Sequence, residues 1–132
     1  MLNLYYTGIV TSGMNKASAF MQKDVYAKQY SNTLGFVPYY GTLNIKLENQ
    51  IEIYTNKKIK NKLKIIKGNK TNGDVYFIKS TIYNKDKSRK NQGAILFPEK
   101  SIYKTDTIEF ISEKNLRKNM NLKDNDEVTI KI

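Results

Sequence analysis

The chain has 132 residues and a formal net charge of +11, and it contains neither cysteine nor histidine. This composition excludes a disulfide framework, thiolate nucleophiles, cysteine-based zinc sites and histidine-dependent catalytic triads. The excess of 23 lysine and arginine residues over 12 aspartate and glutamate residues favours polyanionic partners such as nucleotides, nucleic acids or acidic membrane surfaces.

The N-terminal third of the sequence predicts a strand, a long helix and a turn. Residues 3–11 are rich in β-branched and aromatic residues, which favours a strand that ends at Ser12-Gly13. Between Ala17 and Leu34 apolar residues recur at helical spacing, and Gly35 is suited to end that helix. The next segment, PYYGTLN at 38–44, has the proline and glycine of a turn that enters a strand.

The remainder of the chain has mainly the pattern of strands separated by polar turns. Apolar and polar residues alternate in TLNIKLENQIEIYT, which predicts one or two strands. The lysine-rich segment KKIKNKLKIIK also has alternating apolar residues. Further strands are predicted at DVYFIKSTIY, GAILFP, TIEFI and DEVTIKI, with NKDKSRKNQG as a polar turn and a short helix between Glu113 and Met120. Six or more strands with one longer and one short helix predict a mainly β fold, a compact β-barrel.

The sequence has no pattern of a signal peptide or of a membrane-spanning segment. The N-terminal MLNLYYTGIVTSG has no basic region followed by an apolar core, as a signal peptide would have. No apolar stretch approaches the ~20 residues needed to cross a bilayer. We therefore expect a cytoplasmic protein without a membrane partner. We also expect one domain over residues 1–132 and a monomer.

Two short segments could bind a ligand. SGMNKAS at 12–18 follows a strand and precedes a helix, where free backbone N–H groups and the helix dipole would favour a phosphate, and Lys16 would add a positive charge. An ordinary strand-to-helix turn explains the same residues. Thr42 and Asn44 are polar residues one strand period apart, which is also the pattern of exposed positions on a strand. Tyr39, Tyr40 and Tyr103 could stack on an aromatic ring of a ligand, but the ten tyrosines are expected mostly to pack in the core or on strand faces.

Taken together, these segments resemble the archaeal CTP-dependent riboflavin kinase family. The resemblance covers nearly the whole length and is strongest in LGFVPYYGTLN at 34–44. It also includes Ser12-Gly13, Glu109, Leu116-Arg117 and the C-terminal LKDNDEVTIKI, whereas residues 50–90 match only in general character. The resemblance implies a six-stranded cradle-loop barrel that transfers the γ-phosphoryl group of CTP to the 5′-hydroxyl of riboflavin, giving FMN and CDP.

The resemblance also implies the ligand sites. Thr42 and Asn44 would bind Mg²⁺, for which neutral oxygen ligands suffice when substrate phosphates supply the negative charge. Ser101 and Glu109 would contact the flavin, and Glu109 could assist deprotonation of the attacking hydroxyl. The implied nucleotide-binding residues are Gly13, Met14, Asn15, Lys16, Ala17, Ser18, Lys114, Asn115, Leu116 and Arg117.

The nucleotide loop departs from the family pattern, which usually has a glycine at every second position. This chain has Gly13, Asn15 and Ala17 there, and the departure bears on phosphate affinity, because Asn and Ala adopt left-handed backbone less readily than glycine. A kinase-like protein without activity is therefore one alternative. Another is a basic nucleic-acid-binding β-barrel without catalytic activity, supported by the lysines from Lys57 to Lys70. We expect CTP/CDP and riboflavin/FMN as the partners, and not nucleic acid.

Overall fold

The protein is described by a computed structural model that covers residues 4–12, 29, 32–39, 41–51, 56–68, 74–98 and 106–132. Within these ranges the chain is mainly β, with seven strands and two complete short helices, and residues 29 and 32–34 are also helical. The strands are β1 (Tyr5–Thr11), β2 (Leu43–Leu47), β3 (Lys64–Ile66), β4 (Val75–Asn84), β5 (Lys90–Pro98), β6 (Thr107–Ile111) and β7 (Glu127–Lys131), and the helices are α1 (Lys57–Lys62) and α2 (Leu116–Asn119).

Six of the strands form a closed antiparallel ring. Their order is β4, β5, β6, β2, β1 and β7, and β7 pairs again with β4 between Thr81 and Asn84. The short β3 pairs with β4 farther along the same edge, between Val75 and Phe77. The pairing of β7 with β4 closes the ring, so the six strands leave no exposed edge of the kind that an open sheet has. The predicted six-stranded barrel is thus confirmed, with β3 as an addition.

The two faces of the sheet bury separate apolar clusters. Successive side chains of a strand point to opposite faces, and all six ring strands contribute to an interior cluster that includes Val10, Ile45, Ile95, Phe110 and Val128. A second cluster lies on the outer face of β3 to β6, where it is covered in part by Leu34 and Phe36. The outer face of the barrel is therefore not simply a solvent-facing surface.

Glycine at position 93 allows β5 and β6 to approach closely. A side chain at Gly93 would overlap the carbonyl oxygen of Ile111. Beyond this point, β5 and β6 pair from Ala94 and Ile111 to Leu96 and Glu109. The glycine therefore fixes how β6 lies against β5, and with it the position of Glu109.

The lysine-rich segment differs from its predicted alternating pattern. Its first residues form α1, and its last residues include β3. Helix α1 begins after Asn56, whose Oδ1 accepts hydrogen bonds from the backbone N–H groups of Lys58 and Ile59 at 3.0 and 3.4 Å. Ile59 is fully buried in the interior cluster and Leu63 packs against it. These two residues are four positions apart, which fits a helix as well as alternation does. The side-chain cap at Asn56 and the burial of Ile59 favour the helix.

The other predicted elements agree with the structure in most places. Most of the helix predicted between Ala17 and Leu34 lies outside the described residues, but residues 32–34 are helical and Gly35 follows with φ of +81°. Helix α2 lies inside the predicted segment Glu113–Met120. Strand β5 begins at Lys90, so part of the predicted polar turn before GAILFP is strand. Among the described residues, no helix combines the length and the apolarity needed to cross a membrane.

Candidate active site

Three polar side chains meet on the outer face of the barrel. Thr42 directly precedes β2, and Asn44 is the second residue of that strand. Asn44 pairs with Glu109 of the neighbouring β6, and the Thr42 hydroxyl donates a hydrogen bond to Glu109 Oε1 at 2.8 Å. Thr42 therefore contacts the Glu109 carboxylate, and Asn44 lies opposite Glu109 on the same face, so we call these three residues the polar cluster.

Two members of the polar cluster are buried although they face away from the barrel interior. The exposed fraction is 4% for Asn44 and 3% for Glu109, while Lys46, the next outward residue of β2, is exposed. The interpretation of Asn44 as an exposed strand position is therefore wrong. Alternation sets the direction of its side chain, but burial depends on what covers the outer face.

The side-chain oxygen of Asn44 is the most informative atom of the cluster. Asn44 Oδ1 is buried and has no hydrogen-bond partner among the described residues. Leaving a buried acceptor unpaired costs about 1–3 kcal/mol, so nearly all such groups are paired in folded proteins. An unpaired amide oxygen beside a hydroxyl and a carboxylate is suited to bind a cation or a hydrogen-bond donor.

The end of β1 lies next to the polar cluster. Thr11 pairs with Asn44, so three neighbouring strands bring Thr11, Asn44 and Glu109 into one row. From Ser12 the chain enters residues 13–18, which the sequence predicts to bind the nucleotide. Those residues and Ser101 lie outside the described residues.

Helix α2 is tied to the turn that carries Thr42. The backbone N–H of Tyr39 donates to the carbonyl oxygen of Ser112 at 2.8 Å, and Asn115 Nδ2 donates to the Tyr39 hydroxyl at 3.2 Å. Asn115 also caps α2, since its Oδ1 accepts from the backbone of Lys118. The turn and the predicted nucleotide segment 114–117 are thus held against each other.

The remaining residues of that segment differ in what they can offer a ligand. Lys114 is exposed, whereas the side chain of Leu116 is buried in the interior cluster, which leaves only its backbone available. Arg117 Nη2 donates to the carbonyl oxygen of Thr11 at 3.1 Å and to Asp124 Oδ1 at 2.7 Å. The Ser12 hydroxyl donates to the other oxygen of Asp124 at 2.8 Å. The hydrogen bond from Arg117, and then that from Ser12, lowers the pKa of Asp124.

Sequence patterns alone missed two of these residues. For Tyr39 the sequence favours packing over stacking on a ligand, and it does not single out Asp124, although both residues lie in strings that carry the family resemblance. Their partners are 76 and 112 residues away in the chain, at Asn115 and Ser12. Periodicity does not report contacts of that kind, because it describes one element at a time.

The comparisons with known proteins agree on one family. Residues 10–132 match the family model "CTP-dep_RFKase: Domain of unknown function DUF120". The chain is 50% identical over 129 residues to a riboflavin kinase of Methanosphaera stadtmanae, covering 98% of both proteins. It is 36% identical to riboflavin kinases of Methanobrevibacter smithii and Thermoplasma volcanium, covering 95% and 58% of their lengths. The chain therefore belongs to the CTP-dependent riboflavin kinase family.

Proposed function

We propose that this chain transfers the γ-phosphoryl group of CTP to the 5′-hydroxyl of riboflavin and releases FMN and CDP. Family membership supports riboflavin as the acceptor, and the name of the family supports CTP as the donor. The observation that carries the proposal is the polar cluster, in which a buried and unpaired Asn44 Oδ1 lies beside Thr42 and Glu109. A solvent-facing strand surface would not bury such an oxygen without a partner.

The polar cluster fits a magnesium ion held largely by the substrate. Mg²⁺ prefers six oxygen ligands at about 2.1 Å and is often held by one or two protein groups together with phosphates. Asn44 Oδ1 is one available oxygen, and the Thr42 hydroxyl is a second candidate, because it donates its proton to Glu109 and a hydroxyl oxygen that donates can still act as a ligand. The described residues contain no group of three or more carboxylates that could hold a metal. When bound, the ion would neutralise charge on the phosphates during transfer.

Glu109 is assigned to the riboflavin side. Its carboxylate accepts the Thr42 hydrogen bond and could accept another from the 5′-hydroxyl. In the transfer, a bond forms between the 5′-oxygen and the γ-phosphorus, and the bond from that phosphorus to the bridging oxygen breaks with its electron pair retained by CDP. The hydroxyl proton passes to Glu109 and then to solvent. Such a transfer depends mainly on positioning and charge neutralisation, so Glu109 need not be a strong base.

The nucleotide is assigned to the space between residues 13–18 and residues 114–117. Lys114 is exposed and could meet a phosphate, while Leu116 could contribute only backbone groups. Asparagine and alanine carry a backbone N–H group as glycine does, so the altered glycine pattern does not remove the donors that a phosphate needs.

The enzymatic function is favoured over a nucleic-acid-binding barrel. The four lysines of α1 are exposed, as expected of the solvated face of a helix whose only buried residue is Ile59. They require no ligand to explain them. In the polar cluster, the buried Asn44 Oδ1 has no partner among the described residues, which favours a bound ligand. All three residues of the cluster are the ones that the family resemblance assigns, which speaks against a kinase-like protein without activity.

The donor is tested by a nucleotide panel. Purified protein with riboflavin and Mg²⁺ should form FMN fastest with CTP, and ATP, GTP and UTP should support slower initial rates at equal concentration. Chromatographic separation of FMN from riboflavin measures each rate. Equal or faster turnover with ATP would contradict CTP as the preferred donor while leaving riboflavin kinase activity in place.

A further inference from the structure

Asp124 connects the end of β1 to the segment 114–117, which we assign to the nucleotide site. One of its carboxylate oxygens accepts from Arg117 at 2.7 Å and the other accepts from the Ser12 hydroxyl at 2.8 Å. Arg117 belongs to the segment 114–117, and Ser12 is the residue from which the chain enters 13–18. The same Nη2 of Arg117 also reaches the carbonyl oxygen of Thr11. A single carboxylate thus joins the end of β1 to the segment 114–117.

The backbone around Asp124 is fastened to β1. The N–H of Asn125 donates to the carbonyl oxygen of Val10 at 2.7 Å, and the N–H of Val10 donates to the carbonyl oxygen of Asp126 at 2.9 Å. Asn125 has φ of +75°, a conformation that asparagine tolerates better than most residues. The carboxylate therefore projects from a turn whose position relative to β1 is fixed.

We expect the pair of Arg117 and Asp124 to contribute little to folding stability. Their side chains are 40% and 50% exposed. Ion pairs at such positions are weak because water screens them and because holding two side chains costs conformational entropy. A role in arranging the neighbouring segments explains the hydrogen bonds to Ser12 and Thr11 better than a role in stability does.

We propose that Asp124 is a positioning residue for the nucleotide. It holds Ser12, at the end of β1, against Arg117, and so fixes the segment 114–117 relative to the residue that precedes 13–18. In this arrangement Arg117 acts through Asp124 and Thr11 and need not contact a phosphate itself. The inference rests on the proposed function, because it assumes that the nucleotide binds between these segments.

The test compares Asp124→Asn with a matched change elsewhere. Asp86 is likewise an exposed turn carboxylate that accepts a serine hydroxyl hydrogen bond, from Ser88 at 2.6 Å, and these hydrogen bonds lower its pKa as well. Asp86→Asn therefore removes the same charge and the same kind of contact outside the site. Binding of CTP and of riboflavin is measured separately by calorimetry, together with melting temperature and steady-state kinetics.

Asp124→Asn should weaken CTP binding by roughly tenfold or more, since small displacements in a preorganised site have large effects. Riboflavin affinity and melting temperature should stay near wild type, and Asp86→Asn should behave as wild type throughout. Ser12→Ala should weaken CTP binding as well. The loss of affinity in the double variant should be smaller than the sum of the two single losses, because both substitutions disrupt the same hydrogen bond between Ser12 and Asp124.

Three results would overturn the inference. Wild-type CTP affinity in Asp124→Asn would show that the carboxylate does not position the nucleotide. Parallel loss of both substrate affinities with a lowered melting temperature would show a general structural role. Absence of CTP binding by the wild-type protein would overturn the proposed function, and this inference with it.

Discussion

Replacing Asn44 with alanine should lower the rate of FMN formation by roughly 10²–10³-fold, the usual cost of losing one preorganised contact to a transferring group. The variant loses a ligand oxygen that we assign to Mg²⁺, so raising the Mg²⁺ concentration should restore part of the activity. The melting temperature of the ligand-free protein should be unchanged or slightly higher, because Asn44 Oδ1 has no partner among the described residues to lose. Initial rates over a range of Mg²⁺ concentrations and a thermal melt measure both effects.

Asn91→Ala is the matched control for this variant. Asn91 lies on β5 and its side chain donates a hydrogen bond to Asn119 at 2.8 Å, so this substitution removes a hydrogen bond that is made. It should lower the melting temperature and leave the Mg²⁺ dependence of the rate as in the wild type. Wild-type turnover by Asn44→Ala at limiting Mg²⁺, or a melting temperature lowered as much as by Asn91→Ala, would contradict the assignment of Asn44 to the metal.

Replacing Glu109 with glutamine should reduce turnover by roughly 10²-fold or more, within the range attributed to a positioned acid or base. Glutamine has nearly the same volume and can still accept the hydrogen bond from Thr42, so the fold should persist while the negative charge is lost. The KM for riboflavin should rise and the dissociation constant for CTP should stay near the wild-type value. Steady-state kinetics and quenching of riboflavin fluorescence measure the two substrates independently.

Glu48→Gln provides the comparison for charge alone. Glu48 directly follows β2 and is exposed, so the substitution removes one negative charge outside the polar cluster. It should leave both affinities and the turnover unchanged. If Glu109→Gln weakened CTP and riboflavin binding equally, Glu109 would be a structural residue of the cluster and not a contact of the flavin.

Local patterns in the sequence predicted much of the fold. The alternation in TIEFI and DEVTIKI predicted β6 and β7, because each strand has one face against the interior cluster. The alternation of KKIKNKLKIIK was ambiguous, because Ile59 and Leu63 satisfy a helical period too. In this segment, the capping contacts of Asn56 and the burial of Ile59 favour the helix, and the burial is visible only in the structure.

The candidate site was predicted only in part, because its contacts join distant parts of the chain. The resemblance singled out Thr42, Asn44 and Glu109, but no periodicity indicates that Thr42 donates to a carboxylate 67 residues away. Nor does alternation predict that Asn44 is buried, since an outward-facing residue is exposed unless other parts of the fold cover it. Asp124 is not predicted for the same reason, because it is a turn residue whose role depends on its contacts with Ser12 and Arg117.

The most direct measurement follows the γ-phosphorus itself. CTP labelled at the γ-phosphoryl group is incubated with riboflavin, Mg²⁺ and the wild-type protein, and the products are separated. The label should appear in FMN, in an amount equal to the CDP formed, and Asn44→Ala should slow its appearance. Label recovered only as inorganic phosphate, or CTP left intact in the presence of riboflavin, would contradict phosphoryl transfer at the polar cluster.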